Sequence, residues 1–207
     1  MTRGRFITLE GGEGVGKSTQ VKALAEALRK RGIDVLVTRE PGGSDGAERI
    51  RELLLAGADD RWGARAEVLL FAAARADHVE KTIRPALDSG RWVLCDRFAD
   101  SSLAYQGGAG GLGIETVRAI NVAAIGDLFP ERTLVLTLDE GGDRARARDR
   151  DESDRIGGRA DNYHRKVDAA FRIIAAEEPE RVKLIDASGT PEEVTARLLD
   201  AIADLLP

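Results

Sequence analysis

The chain has 207 residues, of which 43% are hydrophobic, and this is enough to bury one sizeable core, so we expect one domain over residues 1–207. Its 31 Lys and Arg residues nearly balance its 36 Asp and Glu residues, and a net charge of −5 argues against non-specific binding of nucleic acid. Cys95 is the single cysteine, and the sequence has neither a signal-peptide pattern nor a run of about 18 apolar residues, so we expect a cytoplasmic protein without an internal disulfide or membrane contact.

Short apolar segments alternate with helix-like segments along the chain. The apolar segments have the length of buried strands, and they cover residues 6–10, 33–38, 92–95, 133–138 and 182–185. Each is followed by residues at helical spacing, as in the segment from Lys17 to Lys30. Right-handed crossovers bring such a chain back to start each new strand. The sequence therefore predicts an α/β fold, a doubly wound parallel sheet of about five strands flanked by helices.

A glycine-rich loop joins the first strand to the first helix. Residues 11–18 read Gly-Gly-Glu-Gly-Val-Gly-Lys-Ser, a pattern whose backbone N–H groups cradle phosphates, so we expect a P-loop NTPase fold that binds a nucleoside triphosphate. Lys17 would bridge the β- and γ-phosphates, and the Ser18 hydroxyl would ligate Mg²⁺. The predicted ATP-binding residues are Gly11, Gly12, Glu13, Gly14, Val15, Gly16, Lys17, Ser18, Thr19 and, from an arginine-rich segment further along, Arg144.

Asp96 and Arg97 follow the apolar segment 92–95. In an open α/β sheet, ligands bind at the carboxyl ends of the strands, where these two side chains would lie. Asp96 would hold or orient Mg²⁺ or help to place the attacking oxygen, while Arg97 would grip an acceptor phosphate. The alternative is a surface ion pair that contributes little.

Residues 143–159 are dense in arginine and aspartate. If the segment is helical, Arg144 and Arg148 share one face, so one pair of arginines could reach a phosphate. A solvated, salt-bridged helix is the alternative interpretation. Because phosphoryl transfer needs a mobile cation and a cover that excludes water, we favour a lid over approximately residues 143–160, with Arg148 as its catalytic cation.

The ordered motifs resemble the thymidylate kinase family nearly from end to end. They are residues 10–19, 38–43, 70–75, 96–98 and 104–107, followed by the arginine-rich lid. The resemblance implies ATP-dependent phosphorylation of dTMP to dTDP, which supplies dTTP synthesis. It also implies Mg²⁺ as the cofactor, ATP and dTMP as the small-molecule partners, and a homodimer.

The resemblance assigns a base-reading pair to one helix. The position of Phe71 stacks on thymine and that of Arg75 donates to a thymine carbonyl. Thymine is a flat, neutral ring, so an aromatic face and a few hydrogen bonds suit it. The two residues are four apart and so lie on one helix face. From the sequence alone, Phe71 remains open as a core residue.

By the same resemblance, Ser102 and Gln106 lie near the base, and Tyr105 packs where a ribose 2′-hydroxyl would protrude. Arg51 and Arg97 hold the 5′-phosphate of dTMP. The residues alone leave Tyr105 open as a core residue and Arg51 as solvated helix surface.

Three further positions complete the implied site. Glu13 lies near the sugar 3′-hydroxyl or a magnesium-bound water, while Glu40 and Pro41 shape the acceptor pocket. Some family members place an arginine inside the phosphate loop, where this chain has Gly14, so the resemblance points to the bacterial type in which the lid supplies the catalytic cation. The predicted catalytic residues are Lys17, Asp96, Arg97 and Arg148, and the predicted metal ligands are Ser18 and Asp96.

Other functions remain open at this point. A kinase for dUMP or UMP remains an alternative, because stacking on Phe71 cannot separate these bases from thymine. A thymine methyl in an apolar niche contributes only about 1–3 kcal/mol. A nucleotide-switch GTPase should carry a guanine-reading Asn-Lys-x-Asp, and neither Asn121 nor Asn162 is followed by lysine. An ATP-driven interaction module would lack turnover that depends on an acceptor.

Overall fold

A computed structural model describes residues 3–138, 156–157 and 159–207. Within these residues, five strands form one parallel sheet in the order β2-β3-β1-β4-β5. The strands are β1 (Phe6–Gly11), β2 (Val35–Arg39), β3 (Trp92–Asp96), β4 (Arg132–Thr137) and β5 (Val182–Asp186). The predicted doubly wound α/β sheet is confirmed, and each predicted strand overlaps its observed strand with ends that differ by at most two residues.

Helices cover both faces of this sheet. In chain order they are α1 (Lys17–Lys30), α2 (Asp45–Leu55), α3 (Ala64–His78), α4 (Arg84–Asp88), α5 (Ala99–Ser102), α6 (Ile114–Ile125), α7 (Asp161–Glu177) and α8 (Pro191–Asp200). A π-helical turn, Val79–Ile83, joins α3 to α4, and a second, Leu103–Ala109, extends α5. In the described part of the chain, no helix is long and apolar enough to cross a membrane.

The local sequence explains where several helices begin and which face they bury. Val21, Leu24 and Leu28 are buried at helical spacing on α1. Ser44 caps α2 by accepting a hydrogen bond from the Ala47 N–H at 3.4 Å. The helices are therefore set by patterns that the sequence carries locally.

Strand β1 divides its side chains between two cores. Ile7 and Leu9 pack with residues of α1 and α8 on one face of the sheet. Phe6, on the opposite face, packs edge to face on Phe98 with their ring centroids 4.9 Å apart. Glu10 continues that second set at the carboxyl end of the strand, where it is fully buried. The register therefore delivers a carboxylate into the interior beneath the ends of β1 and β3.

Candidate active site

The phosphate loop begins at Gly11, the last residue of β1, and ends at Ser18, the second residue of α1. Gly11 has φ +129°, and a Cβ there would lie 2.4 Å from the Leu136 carbonyl oxygen, so the strand neighbour leaves no room for a side chain. Gly16 has φ +95° and lies immediately before α1. The loop therefore needs glycine at these positions. Its backbone N–H groups lie at the N-terminal end of a fourteen-residue helix, which is a favourable place for an anion.

The remaining loop positions have distinct surroundings. The Val15 side chain is buried in the core on the α1 face, Gly14 has φ +78°, and Thr19 is exposed in the first turn of α1. A Cβ on Gly12 would lie 3.1 Å from a carboxylate oxygen of Asp168 on α7. Val15 therefore anchors the loop in the core, and Gly12 lies close to α7.

Lys17 turns its ammonium group back onto its own loop. Its Nζ donates to the carbonyl oxygens of Gly11, at 3.2 Å, and Gly12, at 2.5 Å. Burial, together with the nearby charge of Arg97, lowers the pKa of Lys17 to about 8. A triphosphate would bring negative charge to an ammonium that now has two neutral carbonyl partners, so anion binding is favoured here.

Ser18 and Asp96 meet where the helix begins and β3 ends. The Ser18 hydroxyl donates to Oδ2 of Asp96 at 2.8 Å. Asp96 is half-buried and pairs in register with Arg39 of β2 on one side and Leu9 of β1 on the other. Hydroxyl and carboxylate oxygens are the ligands that Mg²⁺ accepts, alongside phosphate oxygens and water. The donor set fits a magnesium ion that is shared with a bound nucleotide.

Arg97 has a left-handed backbone, with φ +69°. Its guanidinium donates to the Gly11 carbonyl at 3.1 Å and to the Ser101 hydroxyl at 3.2 Å, and it forms an ion pair with Glu13. It also lies over the Tyr105 ring, 5.0 Å from the centroid. A non-glycine residue in this region of φ stores strain that surrounding contacts must hold. Before a ligand binds, these contacts hold the guanidinium beside the phosphate loop.

Glu13 is ionised in this setting. Burial alone would raise its pKa, but the charges of Arg97 and Lys17 outweigh that effect and lower the pKa to about 2. The Tyr105 hydroxyl donates to the same carboxylate oxygen that receives Arg97, at 3.2 Å. Glu13, Arg97 and Tyr105 therefore form one connected group at the entrance to the loop.

Arg75 lies deep at the other end of the cleft, with 2% of its surface exposed. Its Nε donates to Glu40 at 2.7 Å and one terminal nitrogen donates to the Asn121 side chain at 2.7 Å. The other terminal nitrogen donates to the Phe98 carbonyl and the Ser102 hydroxyl, both at 3.1 Å. Four hydrogen bonds hold the guanidinium in one orientation, so it is a preorganised donor.

Gln106 lies on the π-helical segment that follows α5. Its Nε2 donates to Oε1 of Glu67 at 3.0 Å, and Oε2 of Glu67 accepts from Arg159 at 2.7 Å. Arg159 stacks on the Tyr163 ring at 4.8 Å, and the Tyr163 hydroxyl donates to the Tyr105 carbonyl at 2.8 Å. This connected chain of polar groups leads from the start of α7 to the floor of the cleft.

One cleft of about 210 Å³ extends from the phosphate loop to Arg75. All ten predicted substrate-binding residues line it, and these are Glu13, Glu40, Pro41, Arg51, Phe71, Arg75, Arg97, Ser102, Tyr105 and Gln106. Gly14, Gly16, Lys17, Ser18 and Asp96 line its phosphate end. Phe71, which is half-buried, lines the cleft and also packs against the protein. Arg51 lines the cleft and donates to the Pro41 carbonyl at 2.7 Å. Their roles toward a ligand stay predictions.

Two predicted residues lie outside the described residues. Arg144 and Arg148 belong to the segment 139–155, as does most of the predicted lid. Ile156, at the other end of that segment, lines the cleft and is buried. The catalytic and ATP-binding roles of the two arginines stay predictions.

Sequence reasoning missed several polar residues behind the site. Glu67 and Asn121 hold the residues that line the cleft, and His78, fully buried, contacts Oε1 of Glu40 at 3.2 Å. Glu67 had a usable signal, because it lies four residues before Phe71 and so shares its helix face. Asn121 had none, because it is brought to Arg75 from another helix.

Glu10 was also missed, and it supports the turn that carries Arg97. Its Oε1 accepts from the N–H groups of Phe98, at 2.7 Å, and Ser101, at 3.3 Å, while Oε2 contacts the Ser101 hydroxyl at 2.5 Å. Burial and the nearby Asp100 charge raise the pKa of Glu10 to about 8. A neutral carboxyl is thus stable there at physiological pH, and it links β1 to the turn after β3.

The chain resembles known proteins over nearly its whole length. A family model described as thymidylate kinase matches residues 9–198. A thymidylate kinase of Rhizorhabdus wittichii is 62% identical over 206 residues, which are 99% of each chain. One of Rhodopseudomonas palustris (strain TIE-1) is 52% identical over 204 residues, 97% of this chain and 89% of the other. The crystal structure of thymidylate kinase from Ehrlichia chaffeensis is 30% identical with a TM-score of 0.79, covering 97% of this chain and 99% of that one.

Proposed function

This chain belongs to the thymidylate kinase family and transfers the γ-phosphoryl group of ATP to dTMP, giving dTDP, and from that premise we propose which residues bind each nucleotide and assist the transfer. The proposal rests chiefly on one observation. A single cleft has a buried donor, Arg75, at one end and the phosphate loop with Lys17 and Arg97 at the other. A cleft with these two ends suits a nucleotide laid with its base toward Arg75 and its phosphate toward the loop.

The base end of the cleft reads thymine. Phe71 offers its ring for stacking, and Arg75 donates to a ring carbonyl from an orientation that Glu40 and Asn121 hold fixed. Ser102 lies beside Arg75, and Tyr105 lines the same cleft. Tyr105 would pack where a ribose 2′-hydroxyl would protrude, which favours deoxyribose. Because these groups are in place before a ligand arrives, binding costs little reorganisation.

The phosphate end carries the transfer. Arg51 and Arg97 hold the 5′-phosphate of dTMP, with Glu13 beside the sugar and Glu40-Pro41 shaping the wall. A phosphate oxygen of dTMP attacks the γ-phosphorus in line, forming a new P–O bond while the bond to the β–γ bridging oxygen breaks and ADP leaves. Lys17 and Arg97 stabilise the charge as it moves, so positioning and electrostatics supply most of the rate.

Ser18 and Asp96 are our proposed holders of Mg²⁺. Their oxygens are 2.8 Å apart at the mouth of the loop. Among the described residues, no cluster of three or more His, Cys, Asp or Glu side chains could form an all-protein metal cage. A magnesium ion here would complete its shell with phosphate oxygens and water, and it would neutralise phosphate charge. The two residues orient each other for that purpose.

We further propose that Arg148 supplies the mobile cation near the transferring group, with Arg144 close to ATP. The support is the sequence, since the phosphate loop has Gly14 where a loop arginine would stand. Arg148→Ala should lower kcat by about 10³-fold or more, as expected for the loss of an arginine on transferring phosphate. Arg165→Ala, on the exposed surface of α7, is the control. An unchanged kcat for Arg148→Ala would assign the role elsewhere.

The decisive measurement is ADP release from Mg-ATP with dTMP, dUMP, UMP, CMP, AMP and GMP offered singly. We expect dTMP to be the best acceptor, dUMP to follow within the roughly 1–3 kcal/mol that a methyl group contributes, and the purines to be inactive. A preference for AMP or GMP would contradict the assignment of the base end. ADP release that is equal with and without every acceptor would contradict kinase activity itself.

We propose that the enzyme is a homodimer through the surface of α2, α3 and α6. These helices pack in succession, and each exposes a large apolar side chain, Leu53, Leu69 and Val122. We take these three side chains, on helices that pack against each other, as the apolar part of an interaction surface. Sedimentation should show a dimer that Leu69→Glu dissociates and that Ile173→Glu, an equally exposed position on α7, leaves intact. A monomeric wild-type chain would overturn this proposal.

We place the enzyme in the cytoplasm, where ATP is available and thiols stay reduced. The one cysteine, Cys95, is buried as a free thiol in the core. Fractionation of cells that express the chain should recover it with cytoplasmic markers, and recovery with secreted proteins would contradict the assignment.

A further inference from the structure

The amide of Gln106 has a defined direction. Its Nε2 faces Oε1 of Glu67 at 3.0 Å, and a carboxylate ion accepts hydrogen bonds but donates none. The nitrogen of the amide must therefore point toward Glu67. Gln106 lines the cleft, and its side-chain carbonyl oxygen, on the opposite side of the amide from Glu67, accepts no hydrogen bond from any residue that the structure describes. The cleft thus presents an acceptor at this point.

Glu67 is itself held by donors on both oxygens. Oε2 accepts from a terminal nitrogen of Arg159 at 2.7 Å, and 3% of the Glu67 residue is exposed. Arginine cannot accept a hydrogen bond, so the pair has one possible polarity. The direction of the Gln106 amide is therefore imposed from outside the cleft, through Arg159 and Glu67.

We propose that Glu67 is a positioning residue that sets the base specificity of the cleft by keeping the Gln106 carbonyl turned toward the base. This inference rests on the proposed function. Thymine and uracil carry an N–H at ring position 3, which a carbonyl oxygen accepts. Cytosine carries a lone pair there, so two acceptors would face each other and the contact would be repulsive. A site built for one polarity rejects the other because a buried polar group is left unpaired.

Glu67→Gln should invert this polarity with little change in shape. The new amide must turn its oxygen to Arg159, because Arg159 offers donors alone. Its nitrogen then faces Gln106, whose own carbonyl must rotate to accept it. The Gln106 nitrogen would point into the cleft as a donor, which opposes the N–H of thymine and complements the ring nitrogen of cytosine.

The test compares kcat/KM for dTMP, dUMP and dCMP in wild type and Glu67→Gln. We expect the dTMP-to-dCMP ratio to fall roughly 10- to 100-fold, mainly through a higher KM for dTMP. The dTMP-to-dUMP ratio should stay constant, because both bases carry the same N–H. Glu67→Asp, which can accept but not donate, should keep the dTMP-to-dCMP ratio, as should Glu178→Gln, which alters a carboxylate paired with Arg118 and Arg181 away from the cleft.

The outcomes separate this inference from the function on which it rests. A wild type that does not use dTMP would contradict the proposed function. A wild type that uses dTMP and dCMP equally, or a folded Glu67→Gln with an unchanged ratio, would overturn the role of Glu67. A loss shared equally by all three acceptors would show a merely structural role and would also overturn it.

A second measurement uses the wild-type chain, in case Glu67→Gln does not fold. In an NMR spectrum, a coupling across the hydrogen bond between Gln106 Nε2 and the Glu67 carboxyl carbon would support the inference. Contacts between the Gln106 amide protons and the ring of bound dTMP, with no coupling to Glu67, would overturn it.

Discussion

The two ends of the cleft are organised in different ways. At the base end, Arg75 makes four hydrogen bonds to protein groups and Gln106 is held by Glu67, so the reading groups already have their final directions. At the phosphate end, Lys17 donates to carbonyls of its own loop and Arg97 is paired with Glu13. These two cations contact partners that a phosphate group would replace, and we call them temporary partners.

This difference follows from what each end must recognise. Each contact with a neutral base contributes little binding free energy, so its recognition depends on donors and acceptors that are already in place before the base binds. Phosphates bring full charges, and charge-assisted bonds are strong enough to displace the neutral carbonyl partners of Lys17 and to compete with the Glu13 carboxylate for Arg97. We therefore expect changes at the base end to alter stability and KM together, and changes at the phosphate end to alter kcat.

The largest effect on stability should come from Arg75→Ala at the base end. Removing the guanidinium leaves Glu40 buried without its main partner, which costs about 3–5 kcal/mol of unfolding free energy. The KM for dTMP should rise roughly 10- to 100-fold because a preorganised donor is lost, while kcat falls less. Urea unfolding and steady-state kinetics measure the two effects.

Arg118→Ala is the matched control for that change, since Arg118 forms surface pairs with Glu115 and Glu178. It should leave KM unchanged and cost at most about 1 kcal/mol. If Arg75→Ala stayed folded with a normal KM for dTMP, the base end would be wrongly assigned.

Lys17→Ala should give the next largest effect, at the phosphate end. Loss of one preorganised positive group on transferring phosphate lowers kcat by about 10²–10³-fold. Because the Lys17 ammonium contacts carbonyls of its own loop, at the phosphate end of the cleft, dTMP affinity measured by calorimetry should change little. Lys22→Ala, on the exposed face of the same helix, controls for α1. A large loss of dTMP binding with normal kcat would exchange the roles of the two ends.

Glu10→Gln probes the element that both ends share. Glu10 supports the turn whose Arg97 faces the phosphate end and whose Phe98 carbonyl receives Arg75. The pKa of Glu10 is about 8 when folded, against 4.5 for an ordinary glutamate, so the folded state holds its proton longer and wild-type stability falls as pH rises from 4.5 to 8. The amide of the variant has no proton to lose in this range. Between about pH 6 and pH 8, the unfolding free energy of wild type should therefore fall by roughly 2 kcal/mol more than that of Glu10→Gln.

Urea unfolding at about pH 6 and pH 8, on either side of this loss, measures the difference. Glu131→Gln, which removes a half-buried carboxylate beside the start of β1, is the control. Equal slopes in wild type and Glu10→Gln would show that Glu10 is ionised throughout, and the turn would then be held by charge.

Local patterns in the sequence predicted the parallel sheet, the alternation of strands with helices along the chain and the phosphate loop. The resemblance to the family, and not a local pattern, supplied the acceptor residues that line the cleft. The sequence did not predict the polarity of the site. The contacts of Glu67 with Arg159, and of Glu10 with Ser101, join residues 92 and 91 positions apart. No local pattern records such contacts, since they arise when strands and helices pack. The temporary partners of Lys17 were missed because the motif describes the loaded site.

The smallest effect should come from Glu13→Gln, which sharpens the contrast at the phosphate end. Arg97 and Lys17 lower the pKa of Glu13 to about 2 against the opposing effect of burial, so its stabilising effect is present above pH 4.5 and is lost as pH falls toward 2. The Glu13 side chain is 35% exposed, so solvent screening limits the gain to about 1 kcal/mol or less. Wild type should therefore exceed Glu13→Gln slightly in stability at about pH 6, and the difference should vanish as the pH approaches about 2. Thermal unfolding over that range measures it, with Glu26→Gln on the exposed face of α1 as the control. A difference that grew at low pH would mean that Glu13 restrains Arg97 by shape and not by charge, and the partner of Arg97 would then be permanent.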